Sequence, residues 1–360
     1  MLSLPFLVWT TIPVLFLAVA WQVLDASPAL WIYDGVSRLF PVVDASVLSP
    51  ASLSNETIWI TGASSGIGAA VVCELAQHQH PPQHVILSAR NVEKMQRVVQ
   101  DCQQQLSSTT FSVIPYDALN AEMTSTVVQQ AMESSPKKSI DILVLNSGIY
   151  QVQPALETSA EYRRKLFRVN VEAPMELSQA LMQQDDWKGR GHGHIVVVSS
   201  VMAKGPHSLS STYAATKAAL KSYFQSLSCE EWPWLKVTSV LPGATETDLW
   251  KNLESQHVRP DHRGSAMTPQ RVALLMVRTM AATHSSSMWA WWCFHEVWIS
   301  KNIGLVYACM SHYTPTLFYV VNHMIGLARL EAWNEHHKDM LEVFALIKTT
   351  LKLILKKWVA

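Results

Sequence analysis

Directly after a short apolar run, Ile58-Trp59-Ile60, the chain reads Thr61-Gly62-Ala63-Ser64-Ser65-Gly66-Ile67-Gly68 and passes into a helical stretch from Ala69 to Gln77. Three glycines between a strand and a helix let the backbone turn tightly and approach a pyrophosphate, whose charge is met by the helix N-terminus. A glycine trio alone is weak, but one that opens a strand–turn–helix unit is a strong mark of a dinucleotide-binding fold. The middle of the chain agrees with it. Short runs alternate there with longer helical patterns: Val85 to Leu87, Phe111 to Ile114, Ile142 to Leu145, Ile195 to Val198, Val237 to Leu241 and Val297 to Ile299. Such runs read as strands buried on both faces. Helical connections between them imply right-handed crossovers, so the expected class is α/β, a Rossmann-type doubly wound parallel sheet over residues 55–300.

The two ends differ from this middle. Leu2 to Leu24 carries no charged side chain over about the length a bilayer-spanning helix needs, which predicts a membrane anchor over residues 1–25 and a linker over 26–54. A cleaved signal peptide competes, because Ala18-Val19-Ala20 fits a cleavage site, and so does an interfacial hairpin; no basic residue precedes the apolar run, which weighs against the signal peptide. Orientation is not encoded, since the first basic residue is Arg38, offset by Asp25, Asp34 and Asp44. Residues 301–360 read as an apolar, aromatic-rich helical lid and an amphipathic helix. In that helix Leu341, Phe344, Ile347, Leu351, Ile354 and Trp358 share a face and Lys348, Lys352 and Lys356 lie on another, on a membrane or against the domain.

Composition narrows the partners. Hydrophobic residues make up 49% of the chain and charged residues 16%, against roughly 25% charged in ordinary soluble proteins, which fits contact with lipid and excludes disorder. Lys+Arg and Asp+Glu are both 28, so the basic excess a nucleic-acid partner needs is missing. Five cysteines without paired short spacing read as ordinary buried thiols. His78, His80, His84, His192 and His194 read as loop histidines, with no metal implied. Asn55-Glu56-Thr57 is a formal glycosylation sequon, but it runs into an expected buried strand, which favours chance.

Where the second strand ends, Ser88-Ala89-Arg90, a fold choosing the unphosphorylated cofactor carries an acid for the ribose hydroxyl. Arg90 instead offers a planar cation suited to a 2′-phosphate, which points to NADP(H); the plainer reading is a solvated arginine opening the next helix. Asp117, after the third strand, is placed to accept from the adenine amine, or is an ordinary turn aspartate. Tyr213 and Lys217 are four apart at the start of an alanine-rich helix and so share a face. Ser200 lies just past the strand ending at Val198, and Asn170 in the preceding helix.

Together, Gly62, Gly66, Gly68, Asn170, Ser200, Tyr213 and Lys217 resemble the fingerprint of the short-chain dehydrogenase/reductase superfamily over about Thr57 to Ser300. The resemblance implies Tyr213 as acid and base, its phenolate stabilised by about three pKa units, or ~4 kcal/mol, by Lys217 and an oxidised nicotinamide. It implies that Lys217 holds the nicotinamide ribose, that Ser200 bonds the substrate oxygen and that Asn170 retains a water leading from Lys217 to solvent. Ser64, Ser65 and Ile67 complete the glycine turn. Pro242, Gly243, Thr245 and Thr247 resemble the family's proline-glycine turn, with Thr247 on the carboxamide and a substrate loop over residues 248–267. The family's usual Asn-Asn-Ala-Gly reads Leu145-Asn146-Ser147-Gly148 here. Asn146 and Gly148 keep the cofactor-side positions, and Leu145 is expected to be a packing change that leaves catalysis intact.

Glu296-Val297-Trp298-Ile299-Ser300, and Tyr313-Thr314-Pro315-Thr316 beyond it, resemble the membrane-associated group containing dehydrogenase/reductase member 7, near the 11β-hydroxysteroid dehydrogenases. That likeness implies an enzyme anchored by one segment in the endoplasmic-reticulum membrane. It would act on steroid, retinoid or other lipophilic carbonyls and alcohols, with NADP(H) as cofactor and a homodimer left open. A ketone reductase of fatty-acyl chains and a non-catalytic membrane scaffold are the alternatives.

Overall fold

The computed structural model describes residues 53–103, 108–184, 187, 189–231, 234–249, 266–284 and 295–300, with isolated residues 311, 319, 322 and 330. The anchor and most of the linker expected at the N-terminus lie outside the described residues. So do most of the lid, the basic C-terminal helix and residues 250–265 of the substrate loop. Among the described residues, no helix is long and apolar enough to cross a membrane.

Seven strands form one sheet: β1 (Thr57–Thr61), β2 (His84–Ala89), β3 (Thr110–Pro115), β4 (Ile142–Leu145), β5 (Gly193–Val198), β6 (Leu235–Pro242) and β7 (Glu296–Ile299). Their order is β3-β2-β1-β4-β5-β6-β7 and every pairing is parallel. Between them run α1 (Gly66–Ala76), α2 (Val92–Gln103), α3 (Met123–Ser134), α4 (Ala160–Phe167), α5 (Ala173–Met182), α6 (Ser211–Glu230) and α7 (Pro269–His284). Each apolar run expected to be a strand is one, and the order reverses beside β1, where a doubly wound sheet opens a crevice.

Alternation along the strands divides the core into two layers. Ile58, Ile60, Val85, Leu87, Ile142 and Val144 pack with Val72, Leu75, Met95 and Val272 of α1, α2 and α7. Trp59, Ile86, Leu143 and Leu145 pack on the other face with Val127, Leu177, Leu220 and Phe224 of α3, α5 and α6. Leu145 is therefore part of the core, as expected of a packing change.

Two expectations are corrected. Cys73 of α1 and Cys102 of α2 are joined in a disulfide across a sequence separation of 29, so they are not free thiols. Their spacing hid this, because the crossover through β2 brings the helices side by side. His84 and His194 are buried strand residues, not loop residues. The ring of His84 bonds Thr110 Oγ1 and Ser112 Oγ on β3, and that of His194 bonds Thr238 Oγ1 on β6.

Candidate active site

The carboxyl ends of the central strands hold the residues singled out by sequence. Strand β1 ends in the glycine turn, where Gly62 and Gly66 have φ of +68° and +57°, a region costly to side chains with a Cβ. A Cβ on Gly68 would lie 2.4 Å from the Gly62 carbonyl and 2.6 Å from Asn146 Nδ2, so only glycine lets α1 start this close to the strand. Asn146 locks the turn from β4, its Nδ2 donating to the carbonyls of Thr61 (3.1 Å) and Gly62 (3.2 Å). At the N-cap, Ser65 makes no side-chain hydrogen bond to the first turn of α1, which leaves that turn's N–H groups directed at an incoming anion.

This cradle fits a dinucleotide. Thr247, from the turn after β6, comes within 3.0 Å of where a Cβ on Gly66 would stand, so the expected carboxamide-side residue borders the phosphate-side loop. Pro242 ends β6, and Gly243 has no room for a side chain beside Ser300. Thr245 bridges to Met267 and bonds the Gly243 carbonyl through Oγ1. At the far edge of the crevice Arg90 is exposed, and the neighbouring Tyr116 N–H donates to the Ala89 carbonyl. Asp117 Oδ1 accepts from the Leu119 N–H at 3.0 Å, the geometry of a turn aspartate.

Tyr213 and Lys217 sit one turn apart on the buried face of α6. Lys217 Nζ lies 5.8 Å from the Tyr213 ring centroid and donates to the Val198 carbonyl at 3.0 Å. A Cβ on Gly148 would be 3.4 Å from both Lys217 Nζ and Asn170 Oδ1, so loop, lysine and asparagine converge there. Asn170 lies in a π-helical stretch, Arg168–Glu172, a widened turn common at functional sites. Its amide clamps the loop: Oδ1 accepts from Ile149 N, and Nδ2 donates to the Ile149 carbonyl and to Thr216 Oγ1. Ser200 Oγ accepts from Met202 N and donates to the Pro242 carbonyl, tying the strand end to the proline-glycine turn.

The side chains around the phenol, by themselves, favour its neutral form. Burial raises the Tyr213 pKa above its ordinary value, Tyr150 adds to this, and a hydrogen bond with Ser200 opposes it. Burial also lowers Lys217 to about 8. The protein side chains thus hold Tyr213 as a protonated donor.

Sequence reasoning missed the supports of this helix. Gln151 is fully buried, and its Oε1 accepts from the backbone N–H groups of Thr212 (3.0 Å) and Tyr213 (3.2 Å). Tyr150 stacks edge-on against Tyr213 at 4.5 Å between centroids, and its hydroxyl shares a 2.9 Å hydrogen bond with Ser210. Nothing in a loop glutamine or tyrosine marks such a role before the loop is placed.

Residues 56–258 match the family described as short chain dehydrogenase. Dehydrogenase/reductase SDR family member 7 of Mus musculus is 29% identical over 288 residues, 78% of this chain and 80% of the relative. Hydroxysteroid 11-beta-dehydrogenase 1-like protein of Bos taurus is 33% identical over 251 residues, 68% of this chain and 82% of the relative. An alcohol dehydrogenase from Thermococcus sibiricus, solved with 5-hydroxy-NADP, shares the fold with a TM-score of 0.58 at 20% identity, covering 70% of this chain and 98% of that one.

Proposed function

The chain belongs to the short-chain dehydrogenase family, an oxidoreductase family, and on that premise we propose that it interconverts a carbonyl and an alcohol on a lipophilic substrate with NADP(H). One observation carries the reading: Tyr213, Lys217, Ser200 and Asn170 converge beside the glycine cradle at the carboxyl edge of the sheet. A nicotinamide held here would supply or accept the hydride and, when oxidised, would bring positive charge near the phenol. Glycines 62, 66 and 68 with Ser64, Ser65 and Ile67 hold its phosphates. Arg90 takes the 2′-phosphate, Asp117 borders the adenine, and Asn146, Gly148, Pro242, Gly243, Thr245 and Thr247 line the nicotinamide half. The solved relative in fold was bound to an NADP derivative, which supports the same cofactor here.

Tyr213 gives its proton to the substrate oxygen in reduction and recovers it in oxidation. Ser200 bonds that oxygen as charge develops on it. Lys217, lowered to about 8 by burial, is poised to exchange protons near neutrality. A cavity of about 560 Å³ is lined mostly by apolar groups, among them Met202, Ala203, Ala214 and Leu330, with the polar His207, Ser208, Ser211 and Asn322 also on its wall. Met202 and Ala214 also pack with Tyr213, so a mostly apolar space of ligand size adjoins the phenol's helix. That lining and the steroid-named relative favour a steroid- or retinoid-like substrate.

The test is NADPH oxidation by purified, detergent-solubilised protein against steroid, retinoid and fatty-acyl carbonyls. Tyr213→Phe is expected to abolish turnover while NADPH binding persists, and Arg90→Ala to cut the preference for NADPH over NADH by at least tenfold. Full turnover by Tyr213→Phe would overturn the acid/base assignment. No NADPH oxidation with any carbonyl would leave the scaffold alternative standing.

A further inference from the structure

Thr57 is part of a sequon, and the residue that would carry the sugar is not where the strand is. Asn55 sits in the turn before β1, exposed, with φ of +71°, a conformation asparagine tolerates better than other side chains with a Cβ. The Glu56 N–H closes this turn on the Leu53 carbonyl. Asn55-Glu56-Thr57 is the single Asn-x-Ser/Thr sequence in the 360 residues. Thr57 is fully buried, its Oγ1 paired with Ser135 Oγ and its N–H donating to Asp141 Oδ2.

Burial of Thr57 excludes modification of the folded domain but not of the growing chain. Its partners lie 78 and 84 residues further along. At about 5–20 residues per second of synthesis, Thr57 lacks these partners for roughly 4–17 s before they are made. Once folded, Asn55 faces solvent at the amino end of β1. The five residues of β1 separate it from the glycine turn by roughly 17 Å, so a sugar there leaves the crevice clear.

A second, independent observation points to the compartment. Cys73 and Cys102 are joined in a disulfide between helices α1 and α2, with Cys102 fully buried. Such structural disulfides persist in oxidising compartments and are rare in the cytosol. The machinery that attaches sugars to asparagine works in the same place.

We propose that Asn55 carries an N-linked oligosaccharide and that the sheet domain faces an oxidising, luminal compartment. The donor is a polyprenyl-pyrophosphate oligosaccharide. The Asn55 amide nitrogen bonds to sugar C1 as the C1–O bond breaks, the lipid pyrophosphate leaves with the bonding pair, and the amide proton passes to a base. This goes beyond the oxidoreductase reading and does not depend on it.

The full chain is produced in cells with a secretory pathway, and membranes are treated with an N-glycan amidase. Wild type is expected to migrate more slowly until treated. Asn55→Gln should lose the shift, whereas Thr57→Ser, which keeps both the sequon and a hydroxyl for Ser135, should retain it. In denaturant, where burial no longer shields them, Cys73 and Cys102 should resist maleimide labelling until a reductant is added. Glu122→Thr, which creates a sequon at the exposed Asn120, separates the two halves of the proposal. A new sugar at Asn120 without one at Asn55 overturns the Asn55 site. No sugar at either position, or free thiols at Cys73 and Cys102, overturns the luminal placement.

Discussion

Gln151 does for helix α6 what its own N-cap does not. The Ser210 hydroxyl is engaged with Tyr150, and no side-chain cap comes from Ser210. Gln151 instead takes the first-turn N–H groups from another segment, held there by Nε2 donating to Thr158 Oγ1 (2.7 Å) and to the Gln153 carbonyl (3.1 Å). Gln151→Leu strands two buried donors, at a cost of roughly 1–3 kcal/mol each, and is expected to lower both melting temperature and kcat. Gln151→Glu keeps the acceptor but sets a negative charge beside Tyr213. It should move the pH midpoint of alcohol oxidation upward, a shift that a purely structural role would not produce; pH–rate profiles of both variants decide it. His194 offers a second residue-scale test. Burial, with the nearby His284 and Lys236, holds its pKa well below the ordinary histidine value. The folded state therefore disfavours a proton that the unfolded chain binds below about pH 6.5, so stability falls as pH drops through that value, by at most ~1.4 kcal/mol per unit. Asp141, lowered by the Thr57 N–H and its cationic neighbours against the effect of burial, titrates further down and does not confound that window. Urea unfolding at pH 7 and pH 5.5 should show the loss in wild type and a smaller one in His194→Phe.

At the scale of elements, the disulfide joins α1, which begins at the glycine turn, to α2, which begins just past Arg90. Both helices border the crevice where we place the dinucleotide, so the link holds its two walls in register. Closing a loop of 29 residues stabilises the fold by roughly 3–4 kcal/mol on the chain-entropy account. Cys102→Ser is expected to lower stability by about that amount in denaturant unfolding and to weaken NADPH binding less than it weakens the fold. Strands and helices were legible in the sequence because the apolar runs of the inner strands are buried on both faces, with only the edge strand β3 half-buried, and α6 repeats Tyr213, Lys217, Leu220, Phe224 and Leu227 at helical spacing. The histidines were not. Whether His84 lies in a loop or a strand depends on hydroxyls that β3 brings alongside, 26 and 28 residues later.

For the whole molecule, we propose the division read from sequence: an anchor over 1–25, a linker over 26–54, the sheet domain over 55–300 and an apolar lid with an amphipathic helix over 301–360. A mostly apolar cavity next to α6, lined in part by Tyr319 and Leu330 of the C-terminal region, suits a substrate that reaches the site from a bilayer without crossing water. Deleting residues 1–25 is expected to release the protein from alkaline-washed membranes, read by sedimentation, while NADPH binding is kept. A deletion variant that stays in the pellet would assign the membrane contact to the C-terminal region.

Local order along the chain was enough to mark the strands, the glycine turn and the spacing of Tyr213 and Lys217, because each depends on residues a few positions apart, and the alternation of strands with helices then implied a parallel sheet. Asn170 and Ser200 were found through the resemblance to the family's ordered motif. What the sequence did not contain was the set of contacts made across the crossovers. The pairing of Cys73 with Cys102, the cap that Gln151 places on another segment's helix, and the burial that raises Tyr213 while lowering Lys217 all depend on distances between segments. Those distances exist only once the sheet has closed and water has left the site, so only the tertiary structure could decide them.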